Sequence, residues 1–222
     1  RVVRWDTLED KPRVIAHLFD RIARRYDLLN RVISFGMDGR WRRKTARTLI
    51  GVPPGPVLDL GIGTGDLALD VSRVDRRVVI GVDLAPAMLD RARVKTQGSR
   101  IHLVLADGLR LPFPSGLFSA VCSAFVLRNV ISLEKCFAEL YRVTLPGGQC
   151  SLLEMVPFSV RGFFSFWFSI YFHRVVPFLG AVLAGDREAY AYLPRSVSGF
   201  STADRLCSLL LEAGWTDPKA RS

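Results

Sequence analysis

The stretch VLDLGIGTGD, residues 57–66, decides the fold of this chain. It begins as an apolar, strand-like run and continues with three glycines at every second position, Gly61, Gly63 and Gly65. Glycine tolerates positive φ and has no Cβ, so a backbone at these positions turns tightly and passes close to a ligand. A dinucleotide-binding turn reads G-x-G-x-x-G. Here the third glycine comes one residue early and Asp59 lies at the end of the strand, which predicts a strand, a ligand-binding turn and a helix.

Short apolar strands alternate with helical patterns through the middle of the chain. The predicted strands are residues 56–59, 77–83, 101–105, 118–123 and 149–154. The predicted helices between them are residues 66–73, 86–95 and 132–144, and residues 146–148 form a turn before strand five. Strands separated by helices indicate an α/β fold, in which a mostly parallel sheet has helices on both faces.

Segments on both sides add to this core. Residues 12–26 have apolar side chains at helical spacing, and a second helix follows within residues 33–45 with Asp38 as its N-cap. We expect these two helices to form an N-terminal helical appendage that covers the ligand. Residues 158–184 hold seven Phe, one Trp and one Tyr, but His173-Arg174 and Pro177 interrupt the run, which argues against a membrane span. We expect a helical, aromatic-rich insertion that forms an apolar substrate cavity or rests on a bilayer.

We therefore predict a single domain of four parts. Residues 1–50 are a helical cover, 51–155 the cofactor-binding core, 156–200 a substrate cover, and 201–222 a C-terminal helix with incomplete last strands. Ser201 and Asp204 resemble a capping box for a helix that ends at Ala213, and Trp215 begins a further strand. The usual final antiparallel strand is not in the sequence, so we expect the native chain to continue beyond Ser222.

Composition narrows the classes of function. Hydrophobic residues make up 49% of the 222 and aromatic residues 10%, which excludes a disordered chain. The net charge of +10 favours an anionic partner, either a nucleic acid or a membrane surface. A nucleic-acid site interleaves basic and stacking aromatic residues, whereas the Phe-rich region here is nearly free of Lys and Arg. The four cysteines are widely spaced, which predicts reduced thiols and no metal site.

Acidic residues follow three consecutive predicted strands, at Asp59, Asp83 and Asp107. Because the carboxyl ends of parallel strands meet at one edge of a sheet, we expect these carboxylates to lie close together. Asp83 is placed to accept hydrogen bonds from both hydroxyls of a ribose, and Asp107 to meet the amino group of adenine. The sequence therefore predicts a nucleoside-containing cofactor at this edge.

Seven motifs, in chain order, resemble those of the ubiquinone/menaquinone biosynthesis C-methyltransferases: YDLLNRVISFGMDGRWRR, VLDLGIGTGDLAL, GVDLAPAML, ADGLRLPFPSGLF, LRNV, YRVTLPGGQCSLLEM and DREAYAYLPRSVSGF. The resemblance extends from about His17 to Trp215. An acid followed by three alternating glycines is common to many Rossmann-like class I methyltransferases that use S-adenosylmethionine (SAM), whereas the other motifs are more specific. The resemblance implies transfer of a methyl group from SAM to a ring carbon of a demethylated, prenylated quinol.

The resemblance also implies which residues hold SAM: Asp59, Gly61, Gly63, Thr64, Asp66, Asp83, Leu84, Asp107 and Gly108. Four positions depart from the usual family pattern. Asp38 stands in place of His, Val126 in place of Gly, Leu145 in place of Lys, and Ala124 in place of the Ser of some members. Val126 narrows the space beside the cofactor and so bears on substrate identity.

The expected catalytic residues are Arg128, Asn129, Asp186 and Tyr190. Arg128 and Asn129 would orient the quinol ring or stabilise its anion, and Arg128 stays protonated, so it would act as a base only through a polarised water. Asp186, Tyr190 and His173 are candidates for the base that removes a quinol proton. The position of His173 within an aromatic stretch favours a structural role for that residue.

The expected partners are a prenylated quinol and the membrane that contains it, without nucleic acid, and a homodimer is possible. The corresponding location is cytoplasmic and peripheral to the inner face of the membrane. Three alternatives are open: another small-lipid or sterol-like C-methyltransferase, a nucleic-acid methyltransferase, and a non-catalytic SAM-binding protein.

Overall fold

The computed structural model describes residues 11–157, 171–184 and 186–221. Its centre is a five-stranded sheet made of β1 (Val57–Leu60), β2 (Val79–Asp83), β3 (Ile101–Leu105), β4 (Phe118–Ala124) and β5 (Thr144–Leu153). The strand order is β3-β2-β1-β4-β5, and every neighbouring pair is parallel. The chain therefore builds outward from β1 in one direction and then in the other, so the topological switch point lies between β1 and β4.

Helices cover both faces of this sheet. They are α4 (Asp66–Asp75), α5 (Pro86–Lys95), α6 (Leu133–Val143) and α9 (Ala203–Glu212), together with α3 (Met37–Thr48) from the N-terminal region. Successive residues of a strand point to opposite faces. Leu58 accordingly joins the core beneath α6 and α9 with Phe137, whereas Val57 joins the core beneath α3 and α4 with Leu67. The predicted α/β architecture is confirmed.

A second group of helices packs over one end of the sheet. It consists of α1 (Lys11–Ile22), α2 (Tyr26–Ile33), α7 (Val176–Leu179) with π-helical turns on either side (Tyr171–Val175 and Gly180–Ala184), and α8 (Arg187–Ser198). Leu29 of α2, Met88 of α5 and Tyr190 of α8 share one buried cluster within this group. The cover thus has its own core, which also reaches α5.

The start of α3 differs from the prediction. Among the described residues three helices, not two, precede β1, and Gly36 rather than Asp38 is the N-cap of α3. Gly36 has a φ of 75°, which glycine adopts without steric cost. The carboxylate of Asp38 lies inside the first turn, where it accepts hydrogen bonds from Ser34 Oγ and from the guanidinium of Arg42.

Strand five begins five residues earlier than predicted, at Thr144 rather than Gln149. The predicted turn at residues 146–148 lies inside the strand, because the pairing shifts between Phe118↔Thr144 and Ala120↔Gln149. Such a bulge accommodates extra residues without ending the ladder. The sequence signal Pro-Gly-Gly therefore marks an irregular strand here and not a loop.

Two predictions for the last part of the chain are wrong. Thr202, not Ser201, is the N-cap of α9, since its Oγ1 accepts a hydrogen bond from the backbone N–H of Arg205. Trp215 lies in an irregular segment and not in a strand. Its ring packs edge-on against Tyr141 of α6 at a centroid distance of 5.6 Å, so tertiary packing overrides its strand propensity.

The predicted aromatic insertion is described only in part, because residues 158–170 lie outside the described residues. From Tyr171 onward the insertion is helical, as predicted. Within the described ranges, none of the helices combines the length and the apolar character needed to cross a bilayer.

Candidate active site

The main cavity opens at the carboxyl ends of four neighbouring strands, next to the switch point between β1 and β4. Its floor is formed by the turns that follow those strands, with Gly61 and Gly63 after β1, Asp83, Leu84 and Ala85 after β2, Ala106 to Leu109 after β3, and Ala124, Phe125 and Val126 after β4. Ligands of open parallel sheets bind in this position. The cover supplies the opposite wall through α1 and α2.

The glycine turn brings bare backbone to this cavity. Gly61 and Gly63 have φ values of 65° and 56°. A Cβ on Gly61 would lie 2.3 Å from a methyl carbon of Val126, so only glycine fits there. A Cβ on Gly63 would meet nothing within 4 Å, which leaves the Gly63 backbone open toward the cavity. The turn therefore allows a ligand to approach the main chain closely.

Asp83 ties the glycine turn to the end of β2. Its two carboxylate oxygens accept hydrogen bonds from the backbone N–H of Gly63 at 2.8 Å and of Ala85 at 2.9 Å. Burial raises the pKa of Asp83, and the backbone donors oppose that shift. A carboxylate with two oxygens in a cavity has lone pairs left for further donors such as vicinal hydroxyls.

The turn after β3 completes the same edge. Asp107 accepts a hydrogen bond from the backbone N–H of Leu109 at 2.9 Å, which orients its carboxylate. A Cβ on Gly108 would lie 2.7 Å from Leu60, so glycine allows this turn to approach β1. Asp83, Leu84, Asp107 and Gly108 thus line one cavity with the glycine turn, although they are far apart in the sequence.

Asp59 occupies a smaller cavity behind the glycine turn, where Arg42 and Thr64 also lie. The residue is 1% exposed, and neither carboxylate oxygen has a hydrogen-bond partner of good geometry among the described residues, although the Cys122 thiol and the Ala68 backbone lie close enough to lower its pKa. Burial raises the pKa of Asp59 to about 8, an effect that nearby Arg42 opposes and Asp83 reinforces. Arg42 offsets the burial only in part, so a further cation in this cavity would favour the ionised form of Asp59.

Thr64 and Asp66 belong to a polar network that fastens the cover to the glycine turn. Thr64 Oγ1 donates a hydrogen bond to Asp27 of α2 at 2.5 Å. Lys95 of α5 pairs with Asp27 at 2.6 Å and with Asp66 at 2.5 Å. Both predicted residues border the smaller cavity and not the main one. Their contacts indicate that they hold α2 and α5 against the turn.

Asn129 is the one predicted catalytic residue that lines the main cavity. Its Oδ1 accepts a hydrogen bond from the hydroxyl of Tyr192 at 2.9 Å, which leaves the amide nitrogen as a donor. Arg128, the preceding residue, pairs with Glu154 at the end of β5 at 2.6 Å, and both side chains are almost fully buried. Arg128 therefore lies beside the cavity and is held in an ion pair.

Tyr190 and Asp186 do not line the main cavity, although Tyr190 packs in one cluster with Met88, which does. The hydroxyl of Tyr190 is buried without a hydrogen-bond partner among the described residues, and burial raises its pKa further above the ordinary value. Asp186 pairs with Arg21 at 2.7 Å and caps α8 through the backbone N–H of Ala189. Neither geometry favours a role as base. The side chain of His173 lies outside the described residues.

Two residues that the sequence analysis did not select have prominent places at the site. Tyr26, the first residue of α2, borders both cavities. Phe125 lines the main cavity with a φ of 63°, and its ring lies 5.5 Å from the guanidinium of Arg42 and 5.9 Å from that of Arg128. Tyr26 opens the YDLLN motif, which was the available signal, whereas no sequence signal marks the left-handed backbone of Phe125.

The described residues fit SAM as the cofactor. Asp83 and Asp107 offer carboxylates at the edge of the cavity, and the open backbone of Gly63 permits close contact. The buried carboxyl of Asp59 lacks a well-placed hydrogen-bond partner among the described residues, and SAM carries both an ammonium and a sulfonium cation. When bound, SAM supplies an electrophilic methyl group.

Comparison with solved structures supports the fold. The chain aligns with a SAM-dependent methyltransferase from Thermotoga maritima, described as a possible histamine N-methyltransferase, with a TM-score of 0.63 and 17% identity over 90% of this chain and 81% of the other. It aligns with phosphoethanolamine N-methyltransferase 2 of Haemonchus contortus with a TM-score of 0.57 and 19% identity over 78% of this chain and 36% of the other. The Rossmann-like methyltransferase fold predicted from the sequence is confirmed.

Comparison with protein sequences is more specific. The chain is 45% identical over 202 residues to the demethylmenaquinone methyltransferase of Thermus thermophilus, covering 90% of this chain and 91% of the relative. It is 39% identical over 204 residues to the ubiquinone/menaquinone biosynthesis C-methyltransferase UbiE of Desulfotalea psychrophila, covering 91% and 82%. The family model for the ubiE/COQ5 methyltransferases matches residues 6–221. This chain, a SAM-dependent methyltransferase in fold and sequence, belongs to the ubiE/COQ5 methyltransferase family.

Proposed function

We propose that this enzyme transfers the methyl group of SAM to a ring carbon of a demethylated naphthoquinol with a prenyl tail, in the biosynthesis of a respiratory quinone. One observation supports the proposal most directly: the main cavity joins the carboxylate edge to an apolar wall made of Ile15, Phe19, Val126, Val130 and Ile131. A flat aromatic ring fits such a wall beside the methyl donor. Relatives at 45% and 40% identity have the name demethylmenaquinone methyltransferase.

The proposed mechanism assigns separate tasks to the residues around the cavity. Asp83 and the glycine turn position the cofactor, and alignment of the two reactants provides much of the rate. The amide nitrogen of Asn129, whose oxygen is occupied by Tyr192, donates a hydrogen bond to a quinol oxygen and stabilises the quinolate. Transfer of the quinol hydroxyl proton to water would make the ring carbon electron-rich, and the ring would regain aromaticity when the methylated carbon passes its own proton to water. Phe125 and Val126 exclude water from the reacting atoms.

Substrate location adds a further element to the proposal. A prenylated quinol resides in the bilayer, so the enzyme meets its substrate at the membrane surface. Peripheral membrane contact therefore belongs to the proposed function. It does not require a membrane span, because the ring can enter the cavity while the tail stays in lipid.

The substrate class is tested by incubating the full chain with SAM carrying a deuterated methyl group and a demethylated, prenylated naphthoquinol. We expect mass spectrometry to find one deuterated methyl on the ring carbon of the product. Parallel reactions with a benzoquinol, a sterol and tRNA examine the alternatives. Methylation of one of those substrates, with no naphthoquinol product from a protein that binds SAM, would contradict the proposal.

The raised pKa of Asp59 predicts a pH dependence of SAM binding. Below pH about 8 the free enzyme holds a proton on Asp59, whereas the cationic cofactor favours the carboxylate. The affinity for SAM should therefore increase by up to about tenfold per pH unit up to pH 8 and then level off. Calorimetry in two buffers of different ionisation enthalpy should detect a proton released on binding at pH 7.

The isosteric Asp59→Asn variant is the control, since its amide does not titrate. SAM has an ionisable amino group of its own, so the informative quantity is the ratio of wild-type to variant affinity at each pH. Without cofactor, the wild-type protein should also lose stability from pH about 4 to about 8, because the unfolded carboxyl ionises first. A flat affinity ratio from pH 6 to 8 would show that Asp59 does not respond to the cofactor.

A further inference from the structure

Two helical segments of the cover expose apolar side chains on one side. On α2, Leu28 and Val32 are four residues apart and share one face of the helix, and Phe35 is exposed in the turn that follows it. On the segment of residues 171–184, Val175, Phe178 and Val182 are exposed, whereas Phe172 and Val176 of the same segment are buried. We call the six exposed residues the apolar face.

The two rows of the apolar face are adjacent in space. The ring of Phe35 stacks on Tyr171 at a centroid distance of 5.6 Å. The hydroxyl of Tyr171 donates a hydrogen bond to the carbonyl oxygen of Ile33 at 2.9 Å. Gly180–Ala184 also packs against α2. The two rows of exposed apolar residues therefore lie on neighbouring segments of the cover, and a group of exposed apolar residues of this kind indicates a docking site.

Phe35 gives an independent indication of function. Its backbone has a φ of 52°, a conformation that disfavours bulky residues, and the residue is 79% exposed to solvent. Asn or Gly would relieve the backbone strain, and a polar side chain would relieve the exposure. Strained residues of this kind are concentrated at sites where another molecule binds.

Exposed basic residues accompany the apolar face. They lie on or beside its two segments and on α3, which contacts α2, and they are Arg24, Arg31, Arg40, Lys44, Arg47 and Arg174. The two acids of residues 24–47 do not offset this charge, because Asp27 pairs with Lys95 and Asp38 with Arg42. We call these residues the basic rim, and basic residues beside an apolar face complement an anionic lipid surface.

We propose that the apolar face docks the enzyme on an anionic phospholipid bilayer, with α2 lying in the plane of the headgroups. A second copy of the chain would bring two basic rims together, and a nucleic acid would leave Leu28, Val32 and Val182 without apolar partners. The inference rests on the proposed tailed substrate and names the surface that reaches it. Tyr26, at the start of α2, lines the active-site cavity, so the docked helix adjoins the site where the quinol ring reacts.

The test compares the full chain with the double variant Phe35→Asn/Phe178→Ser in co-sedimentation with vesicles. Asn accepts the left-handed backbone at position 35 and Phe178 is exposed, so the variant should fold. We expect binding to phosphatidylcholine/phosphatidylglycerol vesicles to fall at least about tenfold. The matched control, Val94→Ser/Leu211→Ser, removes two exposed apolar side chains elsewhere and should bind like wild type. Vesicles of phosphatidylcholine alone should bind the wild-type protein more weakly.

Turnover assays separate this inference from the proposed function. On a water-soluble naphthoquinol with a short tail the double variant should match the wild type, whereas its turnover of a long-tailed quinol in vesicles should fall.

The inference would be overturned if the double variant bound vesicles as tightly as the wild type does. It would also be overturned if the wild type formed a dimer that the same substitutions dissociate, or bound RNA in a way that they abolish. If the wild type methylates the short-tailed quinol but ignores vesicles, the docking surface fails and the proposed function stands. If it binds vesicles through the apolar face but methylates neither quinol, the proposed function fails and the docking surface stands.

Discussion

Replacing Asp83 by alanine is expected to raise the Kd for SAM at least about 100-fold, which corresponds to a loss of about 2.7 kcal/mol of binding free energy. Its carboxylate orders the glycine turn through the N–H of Gly63 and faces the cavity with its remaining lone pairs. Hydrogen bonds to a charged group contribute about 1.5–3 kcal/mol each, so two lost bonds account for the effect. Isothermal titration calorimetry with SAM measures it directly.

The matched control for this variant is Asp90→Ala on α5. Asp90 carries the same functional group, but it is exposed and pairs with Arg93 across one helical turn. Removing such a surface pair changes little, so the Kd for SAM should remain that of the wild type. A folded Asp83→Ala protein that binds SAM as tightly as the control would place the cofactor elsewhere.

Replacing either Arg128 or Glu154 by alanine is expected to destabilise the protein by about 3–5 kcal/mol, because each substitution leaves an uncompensated charge in the interior. The pair joins the turn after β4 to the end of β5, and Glu154 also accepts a weak hydrogen bond from the backbone N–H of Arg128. Urea unfolding followed by circular dichroism gives the free energy of unfolding. A single variant as stable as the wild type would contradict the burial of this pair.

A double variant, Arg128→Met/Glu154→Leu, provides the control, since it removes both charges and keeps the volume. We expect it to recover most of the lost stability, as apolar replacements of buried ion pairs do. Its turnover at saturating SAM then examines the catalytic role predicted for Arg128. Turnover by the stable double variant would limit Arg128 to a structural role, whereas loss of turnover with intact SAM binding would return it to the reacting groups.

The edge of the sheet that forms the site was predictable from the sequence for a physical reason. The glycine turn and the acids Asp83 and Asp107 each depend on local signals, namely a strand pattern followed by a residue type at the strand end. Parallel strands then bring these ends together whatever the chain does between them. The same patterns predicted the strand boundaries, except in β5. There the Pro-Gly-Gly sequence suggested a turn, but it lies inside the strand at a bulge.

The remaining features depend on contacts between residues that are distant in the sequence. Two predicted catalytic groups are held in ion pairs, Arg128 with Glu154 and Asp186 with Arg21. No local sequence pattern indicates either partner. The left-handed backbone of Phe125 is similar, because nothing in its own side chain favours that conformation. Asp38 looked like an N-cap, yet Gly36 performs that task and leaves Asp38 to neutralise Arg42.

Helix α2 has only eight residues, and each side of it is committed to a different neighbour. Tyr26 borders the cavities, Asp27 pairs with Lys95, Leu29 is buried in the cover, and Leu28 faces outward. One residue added near its start would rotate everything downstream by about 100° and misdirect all of these side chains at once. The chain on either side of this helix can therefore change in length, whereas an insertion or deletion within the helix would disrupt its contacts.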